Sequence, residues 1–182
     1  MDLAVALAAV RDRLGALATS VEEEGGAVVV RCAVAGLAEV MQLLRSGTHC
    51  FSYFSFMTAV DYPPAEPREG QEVQPGRLDL VYHVANVDEN LKVFVTTSVG
   101  RPAAKGTPPR APSICGIYSG ANWHERECCE MFGVDFEGHP DLRHLLLPDD
   151  WVGHPLLKDD DPSRNDLQYT PEKCWPEMAD RR

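Results

Sequence analysis

The sequence predicts an α+β fold, with helices packed on a mostly antiparallel sheet of about four strands and a long extended C-terminal segment. Three observations carry that reading. Apolar residues recur at helical spacing over 2–18 and 36–47, and alternate at strand spacing over 51–62 and 77–98. Beyond residue 133 both periods stop, although prolines and large apolar residues continue to the C-terminus. The chain therefore divides into an α+β body, residues 1–133, and an extended docking tail rich in proline turns, residues 134–182.

Taken in order, Leu3, Leu7, Val10, Leu14 and Leu17 form one face of a first helix, with Arg11 and Arg13 on the other. Gly25-Gly26 interrupts that pattern, and "AVVVRCAV" (27–34) reads as a strand. Leu37, Val40, Met41 and Leu44 give a second amphipathic helix closed by Gly47. The aromatic, alternating "FSYFSFMTAVDY" (51–62) reads as a strand covered on both faces. A Pro-rich acidic loop (62–76) leads into a hairpin of "RLDLVYHVANV", the turn "DEN" and "LKVFVTTS". Its Leu78, Leu80, Tyr82 and Val84 lie on one face, with Leu91, Val93 and Val95 on the facing strand. A second Pro-rich loop (101–112) carries Arg101, Lys105 and Arg110, which read as solvated surface, with a partner contact as the alternative.

Composition narrows the function classes. A hydrophobic fraction of 44% supports a real core, and a net charge of −11 argues against nucleic acid or an anionic membrane surface as partner. The apolar run from Leu3 to Val10 is too short to span a membrane and lacks the basic start of a signal peptide. The six cysteines (32, 50, 115, 128, 129 and 174) show no CxxC and no iron–sulfur spacing, which points to reduced thiols in the cytoplasm.

The densest chemistry lies in "NWHERECCEMFGVDFEGHP" (122–140). A zinc-protease helix needs His-Glu-x-x-His, and Cys128 stands where the second histidine would be. Adjacent cysteines on a helix point roughly 100° apart and do not readily share one ion. His139 and His154 each precede proline, which favours extended backbone and a turn. An independent metal-dependent enzyme using His124, Cys128 and His139 is thus a minor reading, and a Cys–His nucleophile a weaker one.

A helix explains more of these residues. Asn122 reads as its N-cap, Glu125 completes a capping box, and Gly133 ends it at C′. Trp123, Glu127 and Met131 share one line of the helix, and Arg126 sits one turn before Glu130. The run Glu125-Arg126-Glu127 suits either a solvated face or an ion-pair network in which Arg126 binds carboxylates bidentately. Downstream, Asp141, Arg143, Asp149, Asp150, Lys158 and Asp159 alternate in sign around Trp151 and proline turns, which suits a docking surface better than a reaction centre.

With those residues in view, "ERECCEMFGVDFEGHPDLRHLL" (125–146) resembles the signature of the C-type, or thirty-kilodalton, subunit family of respiratory complex I, the NADH-quinone oxidoreductase. Glu125, Arg126, Glu127, Glu130, Met131, Phe132, His139, Arg143, Leu145 and Leu146 match it. "PDDWVGHPLLKD" (148–159) resembles the family's second block, and the strands at 51–62 and 82–95 resemble its sheet. His144 and Leu157 stand where many relatives carry arginine, and no Tyr-containing "EVRYD"-like ending follows Asp159.

The resemblance implies a cofactor-free scaffold in the peripheral arm of a proton-pumping NADH:quinone oxidoreductase, on the cytoplasmic side of the inner membrane. It implies that FMN and iron–sulfur clusters belong to partner subunits, and that the chain packs against the large, D-like quinone-site subunit and neighbouring peripheral-arm subunits. The helix residues it places at the interface are Trp123, Glu125, Arg126, Glu127, Glu130 and Phe132. Gly138, His139, Pro140, Asp141 and Arg143 follow, then Asp149, Asp150, Trp151, Gly153, His154, Pro155, Lys158 and Asp159. The alternative is the equivalent subunit of a membrane-bound [NiFe]-hydrogenase or a ferredoxin- or deazaflavin-linked complex. Because Phe136, Leu142, Leu145–Leu147, Trp151, Leu156, Leu157 and Trp175 seek burial outside any regular element, the tail is expected to lie on a neighbouring subunit. The free chain should then be cleaved readily beyond Gly133.

Overall fold

The computed structural model describes residues 3–47, 49–64, 75–102 and 107–160. Helix α1 (Leu3–Leu14) buries Ala6, Val10 and Leu14. Strands β1 (Ala18–Glu24) and β2 (Ala27–Cys32) follow, then α2 (Leu37–Arg45) and β3 (Tyr53–Tyr62). Strands β4 (Arg77–Asn86) and β5 (Leu91–Gly100) form the expected hairpin. Strand β6 (Arg110–Pro112), helix α3 (Ala121–Phe132) and β7 (Asp135–Glu137) complete the regular structure.

The main sheet has five strands in the order β1-β2-β5-β4-β3, all antiparallel neighbours except the parallel pair β2–β5. The strand missing from the sequence reading is β1. Of its residues only Val21 is buried, so "ATSVEEE" shows almost no apolar alternation. It is nonetheless held as an edge strand. Gly25 and Gly26 both take positive φ, which suits a two-residue hairpin turn between Glu24 and Ala27. The outward carboxylates of Glu22 and Glu24 meet Arg31 of β2 at 2.8 and 2.6 Å. Charged residues on an edge strand also discourage pairing with another chain.

The helices pack on one face of this sheet. Leu37, Val40, Met41 and Leu44 of α2 meet Leu78, Leu80, Tyr82, Val84, Val93 and Val95 in a core that excludes water. Each such side chain contributes roughly 1.5–3 kcal/mol by leaving solvent. The second face of β3 is open, contrary to the sequence expectation: Tyr53, Val60 and Tyr62 are exposed on this edge strand. The aromatic content of "FSYFSFMTAVDY" suggests burial, but only Met57, Ala59 and Asp61 reach the core side.

The boundary at residue 133 is not a structural one. Val134 and Phe136 are fully buried in the same core, and β7 pairs in parallel with β6. From Gly138 to Asp160 the chain runs as an irregular strap whose Leu142 and Leu157 pack against the body. The expectation that this stretch needs a neighbouring subunit to lie on is not met in residues 138–160, because charged side chains of the body supply partners for its backbone. Residues 161–182, with Trp175, lie outside the described residues, as do Lys105 and loop positions 65–74.

Candidate functional site

Helix α3 lies along β3 and carries the densest set of buried charge in the described chain. Its start differs from the capping box. Ala121 is already helical, Gly120 precedes it without a side-chain cap, and Asn122 falls in the first turn. Glu125 is fully buried and turns away from the helix terminus. Its carboxylate accepts hydrogen bonds from the Ser113 hydroxyl (2.6 Å), the Ile114 N–H (2.7 Å) and the Cys115 thiol (3.1 Å). It thereby fixes the loop that leads from β6 into α3. The helix ends as expected: Gly133 is left-handed, and its N–H returns to the Cys129 carbonyl at 2.9 Å.

Two further charges of α3, Arg126 and Glu130, bind the strap. Arg126 makes no carboxylate pair among the described residues; it donates to the main-chain carbonyls of Arg143 (3.0 Å) and His144 (2.8 Å). Glu130, 3% exposed, accepts the consecutive N–H groups of Leu145 (2.9 Å), Leu146 (3.0 Å) and Leu147 (3.3 Å). Successive amides converging on one anion form a nest, and here the anion is the protein's own. The predicted ion-pair network is therefore a charge-to-backbone network. Isolated strap amides and carbonyls need partners more than Arg126 and Glu130 need each other.

Two histidines hold the proline turns. Nδ1 of His139 accepts the Asp141 N–H at 3.0 Å, so the ring proton sits on Nε2, which donates to the Asn122 carbonyl at 3.1 Å. His154 donates from Nδ1 to the Glu130 carbonyl at 2.8 Å, and the Leu156 N–H reaches the Met131 carbonyl at 3.2 Å. The His154 ring lies over Gly133, where an added Cβ would come within 2.6 Å of its Nε2. Because φ at Gly133 is also +75°, Gly133→Ala combines backbone strain with a clash, and should cost about 2–3 kcal/mol in thermal or denaturant unfolding.

The strap's far end is clamped. Asp61, 3% exposed, receives both Arg101 (2.7 and 2.9 Å) and the Lys158 N–H (2.8 Å). Arg101 also grips Asp159, through Nη1 at 2.7 Å and through a second contact from Nη2. Arg101 is thus not solvated surface, since its side chain is 10% exposed and shared between two carboxylates. The guanidinium pulls the Asp61 carboxyl below its ordinary pKa, and the paired carboxylates raise that of Arg101. A cleft of about 770 Å³ lies between strap and body, lined by Arg101, Cys129, Leu142, His154 and Leu157 among others.

Other signature residues face outward or serve the core. Trp123 (66% exposed) and Glu127 point to solvent, Phe132 belongs to the core, and Asp149 and Asp150 are exposed. Asp141 pairs with Arg143 at 2.7 Å on the surface. Gly138 and Gly153 take positive φ beside Pro140 and Pro155, and Trp151 is half-buried. Sequence reasoning missed Asp61, Arg101, Ser113 and Cys115. A signal existed for Asp61, an acid continuing the core parity of Met57 and Ala59 on β3.

The metal reading fares differently from its expectation. His124 packs edge-on against Phe54 (5.6 Å between centroids) and Cys128 lies in the core, so the trio of His124, Cys128 and His139 does not assemble. Among the described residues the metal-ligating types that do converge are Cys115, Glu125 and His139, with donor atoms within 4.8 Å of one another. All three already hold hydrogen-bond partners, and His139 has its proton on the very nitrogen that faces Glu125. Burial pushes the Cys128 and Cys129 thiols up and raises Cys115 to about 11, the opposite of an activated nucleophile.

Comparison with known proteins bears on this arrangement. The family described as "Respiratory-chain NADH dehydrogenase, 30 Kd subunit" matches residues 30–166. The C subunit of the NADH-quinone oxidoreductase of Rhizobium rhizogenes is 37% identical over 87% of this chain and 70% of its own length. The fused C/D subunit of the NADH-quinone oxidoreductase of Phocaeicola vulgatus is 36% identical over 75% of this chain, which spans only 23% of that protein. Among solved structures, a chain of the archaeal membrane-bound sulfane sulfur reductase superposes with a TM-score of 0.70. It covers 95% of this chain and 91% of its own, at 22% identity, and so shares the fold.

Proposed function

The chain belongs to the respiratory-chain NADH dehydrogenase 30 kDa subunit family, and on that premise we propose that it is a non-catalytic, cofactor-free scaffold in the peripheral arm of a proton-pumping NADH:quinone oxidoreductase. Its neighbour in that arm is a D-type protein, a pairing supported by relatives in which C and D are one protein. FMN and iron–sulfur clusters reside in other subunits, and the chain sits peripherally on the cytoplasmic side of the membrane. No described helix is long and apolar enough to cross a membrane.

The observation that carries the scaffold reading is the destination of the signature charges. Glu125, Arg126 and Glu130 end on main-chain groups and small side chains of their own protein. Groups held so tightly by hydrogen bonds within their own chain position a surface.

Arg126→Ala tests this. The substitution removes two charge-assisted bonds to the strap, worth roughly 1.5–3 kcal/mol each at most. The amount of assembled complex should fall, while NADH:quinone turnover per assembled complex stays near wild type. Normal assembly with lost turnover would assign Arg126 to the chemistry and overturn the scaffold role.

A further inference from the structure

We propose that residues 161–182 fold back over the helix-free face of the main sheet and seat Trp175 on its apolar row, so that the chain covers this surface itself. The row is built by register. Val29, Phe94, His83 and Phe56 stand opposite one another across β2, β5, β4 and β3. Side chains alternate along a strand, so the row lies on the side away from Leu80, Tyr82 and Val84 of the core. His83 stacks on Phe56 at 5.4 Å between centroids and lies 4.5 Å from Phe94. Neither of its ring nitrogens has a hydrogen-bond partner among the described residues. Burial lowers its pKa, with Lys92 assisting, so the ring is neutral and continues the apolar surface between the two phenylalanines. Tyr53, Val60 and Tyr62 extend this surface along β3, and all three are exposed. Contiguous exposed apolar area of this kind marks a place where something binds.

The strap delivers the occupant to the rim of this face. The Lys158 N–H bonds Asp61 at 2.8 Å, Arg101 holds Asp159, and the Lys158 ammonium lies 6.0 Å from the centre of the Tyr62 ring. Twenty-two residues follow Asp160, with Leu167, Tyr169, Trp175 and Met178 among them. From Tyr62 back to Phe56 is six residues of strand, or roughly 20 Å. The fifteen residues from Asp160 to Trp175 span roughly 20–23 Å as a flexible chain, which matches that distance. So short a tether places Trp175 near the row at a local concentration on the order of millimolar, against which a separate protein has to compete. Charge agrees with the pairing: Lys92 is exposed two residues before Phe94 on β5, and Glu172 and Glu177 flank Trp175. The contact residues 167–182 lie beyond the 30–166 stretch that matches the family.

Native Cys174, next to Trp175, supplies the test. Thr58 is exposed on the same face of β3, two residues from Phe56, so Thr58→Cys should leave the melting temperature unchanged. In the full-length chain carrying Thr58→Cys, mild oxidation with oxidised glutathione at high dilution should join position 58 to Cys174 within one chain, as read by peptide mass mapping. Adding Trp175→Ser keeps the tether and removes the seated side chain, and should slow formation of that bond about tenfold. An equal rate with and without Trp175 would show a segment that only collides with the face, and would overturn the seating. A bond formed only between two chains would assign the face to a second copy. No bond to position 58 would place residues 161–182 elsewhere, and either of these results overturns the proposal.

Discussion

Glu130→Ala should lower the stability of the isolated chain by about 3 kcal/mol or more, seen as a fall of roughly 10 °C in melting temperature. Glu130 lies 3% exposed beneath the strap and is the acceptor for the N–H groups of Leu145, Leu146 and Leu147. Alanine leaves those donors without a partner unless the strap lifts into water. Lifting would in turn break the His154 bond to the Glu130 carbonyl and the Arg126 bonds to Arg143 and His144. Either outcome is costly, because the interactions are shared by one segment and are lost together. Glu130→Gln keeps an acceptor oxygen and should recover part of the loss. If Glu130→Ala melts at the wild-type temperature, the nest is not holding the strap.

Arg101→Gln is the second large effect, at about 3–5 kcal/mol, since it strands the buried carboxylate of Asp61 without a counter-charge. The pH dependence follows from the sign of the shift. The hydrogen bonds from Arg101 hold the folded pKa of Asp61 below its unfolded value, with the Lys158 N–H assisting. The clamp's contribution is therefore complete above the unfolded aspartate pKa of about 3.9, and is lost as pH falls through the lower folded value. Wild type should lose this component below about pH 4, whereas Arg101→Gln should lack it at every pH. Acid unfolding followed by circular dichroism measures the difference. Parallel acid profiles for the two proteins would show that the ion pair does not contribute to stability.

How much of this is legible in the sequence depends on whether the deciding force is local. The hairpin of β4 and β5 follows from alternation alone, and Leu78, Leu80, Tyr82 and Val84 all reach the core. Gly133 ends α3 because only a glycine is comfortable at that left-handed position, and that rule is also local. The capping box at Asn122 and Glu125 fits its local rule equally well and is wrong. Donors on the loop at Ser113 and Ile114, distant in the sequence pattern, claim the carboxylate once it is buried. The strap misleads in the same way. Its lack of periodicity suggests a need for another protein, yet the partners of its backbone are Arg126, Glu130, Met131 and Asp61. The sign alternation at Asp141, Arg143, Lys158 and Asp159 is visible, but the arginine that binds Asp159 lies far upstream in a loop that reads as surface.

The family signature gains a physical meaning from this. In the described chain its charges fasten the strap from within the chain, before any partner is needed. That ordering separates a prefolded strap from a tail that orders only on binding. Hydrogen exchange of the isolated full-length chain at the amides of Leu145, Leu146, Leu147 and Leu156 distinguishes the two. With the strap fastened by Glu130 and the Met131 carbonyl, these amides should exchange slowly in the free protein, and Glu130→Ala should abolish protection at the first three. Exchange at the rate of an unstructured peptide in the free chain, with protection appearing only in the assembled complex, would contradict intramolecular fastening.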